Sequence, residues 1–204
     1  NDIKLSYGLC NQLARRLANA LLNMGVKKGD RVSIMAPNVP QYVISLQALW
    51  KIGAIEVPSN VLYTVPELDE QFKDSGTETV IVMAAFADKA IQIMHDPDSP
   101  VKRVIAFQTA GIDIKLEKEP NLFDFNEVIG AASEEEPSVE VKGSDIAKLQ
   151  YTGGTTGVPK GCVLTHNMLY TQAIRTSEWA TSGFTLVPKD EVITLAAIPL
   201  NHIY

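Results

Sequence analysis

YTGGTTGVPKGCVLTH, running from Tyr151 to His166, lies between two apolar runs of a 204-residue chain. Glycines let a backbone turn tightly and bring its N–H groups close to a ligand. Thr155 and Thr156 add adjacent hydroxyls, and Lys160 adds one compact positive charge. Those are the groups that hold a polyphosphate. A Walker loop needs G-x-x-x-x-G-K-[ST] leading into a helix. Here Lys160 stands between Pro159 and Gly161, so that pattern fails. The dinucleotide fingerprint G-x-G-x-x-G fails too, because Gly153 and Gly154 are adjacent and no helix signal follows Gly157. A structural hairpin is the rival reading of a glycine cluster, and the paired threonines with the Pro-Lys-Gly exit argue against it.

Outward from this loop the chain alternates helix and strand patterns. Ser6 is placed to cap a helix to Met24, with Leu9, Leu13, Leu17 and Leu21 at four-residue steps and Gly25 as its terminator. Strands are expected at Arg31–Met35, Ala54–Pro58, Thr79–Met83 and Val101–Phe107. Between them fall helices at Val39–Ile52, from Thr64 to about Asp74, and at Phe86–His95. Thr64 with Glu67 matches a capping box, and Pro66 sits in the first turn. The polar stretch Thr109–Gly143 reads as a surface excursion with one apolar patch, Leu122–Ile129. After it come a strand ending near Tyr151, the glycine loop, a strand Gly161–Leu164, a helix Asn167–Trp179 and a strand Glu191–Ile198. This βαβ alternation predicts an α/β fold, with helices layered on a mostly parallel sheet.

Composition narrows the function. A formal charge of −6 argues against a nucleic-acid surface, which would need a basic face. Cys10 and Cys162 lie far apart without C-x-x-C spacing, which fits a reducing, cytoplasmic setting rather than a disulfide or metal site. The longest apolar runs, Val80–Ala87 and Ile193–Leu200, are about half of what a membrane span requires. Cys162 reads as a buried small hydrophobe, and Trp50 and Trp179 as core residues on helical faces. His166 reads as a helix-start residue, and His95 as a helix-end residue.

The loop closely resembles the phosphate-binding loop of the adenylate-forming superfamily, which includes acyl-CoA synthetases, coumarate ligases, firefly luciferase and peptide-synthetase adenylation domains. Their pattern is Y-[ST]-[SG]-G-T-T-G-x-P-K-G, followed by T-H. Tyr151, Thr152, Gly154, Thr155, Thr156, Gly157, Pro159, Lys160, Gly161, Thr165 and His166 supply it here. The segments LARRLANALLNMGVKKGDRVSIMAPNVPQYV and WKIGAIEVPSNVLYTVPEL resemble the family's earlier segments, and IPLNHIY resembles its P-L-F-H-x-x-G motif. Two departures stand out. Gly153 replaces a common Ser or Thr, and Asn201 replaces an apolar residue beside the acyl pocket.

The resemblance implies a two-step reaction: a carboxylate attacks the α-phosphate of ATP to give acyl-AMP and pyrophosphate, and coenzyme A then displaces AMP. It implies that Thr152, Gly153, Gly154, Thr155, Thr156, Gly157 and Lys160 hold the nucleotide phosphates. Lys160 and His202 are the implied catalytic residues, and His202 with Tyr204 would face the acid. Magnesium would bridge the phosphates, with Thr152 as the candidate protein ligand. The G-V-x-x-G-D-R-V and P-L-N-H-I-Y segments favour an AMP-forming fatty-acyl- or coumarate-type ligase. An adenylation domain or acyl-AMP ligase loading a carrier protein stays open, as does a non-catalytic binding module of another class. A homodimer is neither required nor excluded. Family members are far longer, so residues 1–204 read as part of an N-terminal, AMP-binding domain without the C-terminal domain, and inactive alone.

Overall fold

Hydrophobic periodicity and punctuation by Gly, Pro and Asn account for most of the architecture. A computed structural model describes residues 4–109, 114–152, 160–182, 195 and 197–201. Helix α1 spans Tyr7–Asn23, with the Ser6 hydroxyl accepting from the Leu9 amide at 3.1 Å. Strand β1 is Arg31–Met35, α2 is Pro40–Ile52, and β2 is Ile55–Pro58. Helix α2 ends where Gly53 turns left-handed at φ 65°, a conformation that costs glycine little. Helix α3, Val65–Ser75, opens on the expected capping box of Thr64 and Glu67. Then follow β3 (Thr79–Met83), a 3₁₀ turn (Ala84–Phe86), α4 (Ala87–Met94) and β4 (Arg103–Phe107).

The acidic stretch after β4 is not merely a surface excursion. It contributes a fifth strand, β5 (Leu122–Asp124), which pairs parallel with β4, and a short helix α5 (Phe125–Gly130). Phe125 and Ile129 of α5 are buried in the core. The run Glu134-Glu135-Glu136 then crosses α1 and α2: Arg16 contacts Glu134 at 3.0 Å, Lys51 contacts Glu136 at 2.7 Å, and Asn19 donates to the Ser133 and Glu135 carbonyls. Its polarity reflects where it lies, over two helices, rather than a lack of structure.

Strands β6 (Ile146–Thr152) and β7 (Lys160–Thr165) precede the last helix, α6 (His166–Ser182). The order across the sheet is β5-β4-β3-β1-β2-β6-β7. All neighbours are parallel except β6 and β7, which pair antiparallel. Helices α1, α2 and α5 share one core with residues such as Val32, Ile34, Ile81 and Ile105. Helices α3 and α4 cover the other face against Val80, Val82 and Val104. The expected last strand, Glu191–Ile198, falls mostly outside the described residues.

Candidate functional site

In an open α/β sheet, ligands bind beyond the carboxyl ends of the parallel strands. Here β1, β2 and β6 end side by side, and a cavity of about 680 Å³ lies there. Its walls include Pro37 and Asn38 after β1, Asn60 and Tyr63 after β2, Gln150 and Tyr151 of β6, and Pro199 and Asn201. The β2–α3 loop is braced by Lys89 of α4, whose ammonium donates to the carbonyls of Val61 and Tyr63 at 3.0 and 2.7 Å. Beneath it, the Ser59 hydroxyl bonds to Ser33 and Gln71, and the Gln71 amide donates to the Pro58 carbonyl. A buried polar chain thus fixes the end of β2.

The glycine loop is the connection of the β6–β7 hairpin. Thr152 pairs with Lys160 across the two strands, so these two predicted site residues close the base of the seven-residue connection. Lys160 is exposed. Gly153, Gly154, Thr155, Thr156 and Gly157 lie outside the described residues, as do His202 and Tyr204.

Tyr151 ties this hairpin to the rest of the molecule. Its hydroxyl donates to the Asp74 carboxylate at the end of α3, and burial followed by that carboxylate pushes the phenol up, so it stays a donor. Gly161 lies under the ring: a Cβ there would come within 3.2 Å of the ring's Cζ. On the other face of β6, Lys148 and Gln150 point away from Tyr151, as strand alternation requires. Lys148 reaches Glu56 of β2 at 3.5 Å, and Tyr42 of α2 donates to the same carboxyl at 2.6 Å. Burial raises the Glu56 carboxyl above its ordinary range, while the Lys148 charge and the Tyr42 bond pull the other way.

Two cavity residues escaped the sequence reading. Gln150, 4% exposed, donates to the Asn201 carbonyl at 3.1 Å. Asn38 holds Ile198 and Leu200 by their backbones. The signal for Asn38 was its place in the P-N-x-P segment, and for Gln150 a polar residue interrupting a strand.

The family model for AMP-binding enzymes matches residues 1–204. The chain belongs to that family. It is 34% identical over 204 residues to a long-chain-fatty-acid–CoA ligase, FadD13, of Mycobacterium tuberculosis, covering 99% of this chain and 36% of that protein. It is 30% identical over 203 residues to a 4-coumarate–CoA ligase of Vanilla planifolia, covering 100% and 35%. The solved N-terminal domain of FACL13 from Mycobacterium tuberculosis, bound to an inhibitor, superposes with a TM-score of 0.73 at 33% identity, over 88% of this chain and 41% of that one. The chain therefore spans about a third of the length of the curated relatives it matches.

For this member of the AMP-binding family, two of the expectations for single residues change and two hold. Cys162 is exposed on β7, not buried. Lys160 to Val163 of β7 are all exposed, so neither face of this part of the strand is covered by the described residues. Trp179 on α6 is 69% exposed, and only Trp50 is packed, with its ring edge-on to His166 at 6.4 Å between centroids. His166 does begin α6, its amide donating to the Asp145 carbonyl at 3.1 Å. Burial lowers its imidazole below the ordinary histidine range. His95 closes α4 and bonds Glu119 at 2.7 Å.

Proposed function

We propose that this chain is part of the N-terminal domain of a longer AMP-forming acyl-CoA ligase. In that reading it activates a carboxylic acid, first of all a fatty acid, as acyl-AMP with release of pyrophosphate, and passes the acyl group to coenzyme A. The observation that carries it is the glycine–threonine connection of the β6–β7 hairpin, closed by Thr152 and Lys160 and rising from the strand that walls the cavity. Family membership and the names of the relatives support the same reaction class.

Phosphoryl chemistry asks a protein mainly for positioning and charge neutralisation. Thr152, Gly153, Gly154, Thr155, Thr156 and Gly157 would cradle the β- and γ-phosphates through N–H and hydroxyl groups. Lys160 would offset the charge that builds on departing pyrophosphate, and His202 with Tyr204 would meet the acid and the α-phosphate. No group of three or more His, Cys, Asp or Glu able to hold a metal ion occurs among the described residues. A magnesium ion would arrive with the nucleotide, held by phosphate and water, with Thr152 as the proposed protein contact. No helix among the described residues is long and apolar enough to cross a membrane, and we place the enzyme in the cytoplasm.

A pyrophosphate-release assay on the full-length protein, over fatty acids of graded length and aromatic acids, tests this reading. Lys160→Ala should lower kcat by roughly 10²-fold with the fold unchanged, since Lys160 is exposed. Unaltered turnover in that variant would sink the assignment. Acyl-AMP formed without transfer to coenzyme A would favour carrier-protein loading instead.

A further inference from the structure

We infer that Asn38 and Gln150 are positioning residues, which hold the Ile198–Asn201 backbone at the cavity wall and so fix the described chain that leads in sequence to His202. The inference rests on the proposed role of His202. Asn38 uses both ends of its carboxamide on one short segment: Nδ2 donates to the Ile198 carbonyl at 2.8 Å, and Oδ1 accepts from the Leu200 amide at 2.7 Å. This copies the paired bonds that a neighbouring strand would make. Gln150, from β6, adds a third bond by donating to the Asn201 carbonyl at 3.1 Å. Leu200 meanwhile packs its side chain against the core shared by α1 and α2.

The segment gripped in this way is far from Asn38 and Gln150 in sequence, and it lines the same cavity as both. Neither carboxamide needs to touch substrate to matter. Asn38 follows β1 and Gln150 belongs to β6, so the clamp joins the carboxyl ends of two strands to the residues preceding His202. Misplacing a reacting group by about 1 Å can cost roughly 10²-fold in rate. The three bonds of the clamp run to the Ile198–Asn201 backbone, so its loss should leave nucleotide affinity nearly untouched.

The test uses the full-length protein and three variants. Asn38→Ala should lower kcat for acyl-AMP formation by about 10- to 100-fold, with the KM for ATP within about twofold of wild type and hydrogen-exchange protection lost at the Leu200 amide. Asn38→Asp keeps the acceptor for that amide and should restore both its protection and part of kcat. Combining Asn38→Ala with His202→Ala should cost little more than His202→Ala alone. The inference is overturned if Asn38→Ala keeps full kcat while His202→Ala loses it, if the two losses multiply, or if the KM for ATP rises in step with the fall in kcat. If His202→Ala itself turns over normally, the reading of His202 fails and this one with it; loss of Leu200 protection in Asn38→Ala would then show that the clamp exists but serves another end.

Discussion

Gly161 and Tyr151 show how one absent side chain supports a site. The Tyr151 ring occupies the space a Cβ at position 161 would enter, and its hydroxyl reaches across to Asp74. Overpacking costs about 1–3 kcal/mol, while replacing glycine by alanine restricts the unfolded chain and returns about 0.4–1 kcal/mol. Gly161→Ala should therefore destabilise by about 1 kcal/mol net, read as a lower denaturant midpoint at constant m-value. In a Tyr151→Ala background the added methyl meets no ring, and the cost should vanish. Most of the motif residues were readable because each has a chemical reason to be there. The glycine at 161 was readable only as part of a pattern, since its reason is a ring from the facing strand.

Strand β6 carries chemistry on both faces, and its buried face holds Lys148 against the buried carboxyl of Glu56. Glu56 is fully buried, and its Oε2 makes no hydrogen bond, so the Lys148 charge 3.5 Å away is what offsets it. A carboxyl raised in the folded state stabilises the fold fully below its ordinary value, near 4.5, and loses that contribution as pH rises through the folded value. Removing Lys148 raises Glu56 further and leaves a buried charge uncompensated. Lys148→Met should cost about 3–5 kcal/mol at pH 7, part of it recovered near pH 5. Glu56→Gln with Lys148→Met should recover most of it at either pH. Thermal melts at the two pH values check the sign; a single variant with pH-independent loss would refute it.

The same strand shows where element reading stopped. The first four predicted strands matched within two residues, and the fifth ends one residue past its expected end, because apolar runs bounded by Gly, Pro and caps leave little choice. Strand β5 has three residues, too few for periodicity, and it forms because β4 offers a parallel edge. The antiparallel direction of β7 was accessible: seven residues between β6 and β7 are too few for a parallel crossover, which needs about a dozen.

For the whole molecule, the telling feature is an uncovered apolar surface. Val163 of β7 and Met168, Tyr170, Ile174 and Trp179 of α6 are each at least 42% exposed. Exposed apolar side chains on two sides of one helix mark interaction faces or an aggregation hazard, and an edge strand adds unpaired backbone. The 204 residues expressed alone should bind the dye ANS and self-associate, and Tyr170→Lys with Trp179→Lys should reduce both. The proposed full-length ligase should do neither. A monodisperse, dye-silent preparation of the short chain would contradict this expectation.

By itself the sequence determined most of the helix and strand pattern, the α/β class and the presence of the glycine–threonine motif, because these depend on local periodicity, caps and residue chemistry at fixed spacing. Tertiary structure alone decided that the acidic run Glu134–Glu136 straps α1 and α2, that Cys162 faces outward, and that Asn38 and Gln150 grip the segment before His202. Each of these joins residues far apart in the chain. No local pattern encodes such a contact; the grip of Asn38 and Gln150 exists only once the sheet order sets β1, β2 and β6 side by side with their carboxyl ends together.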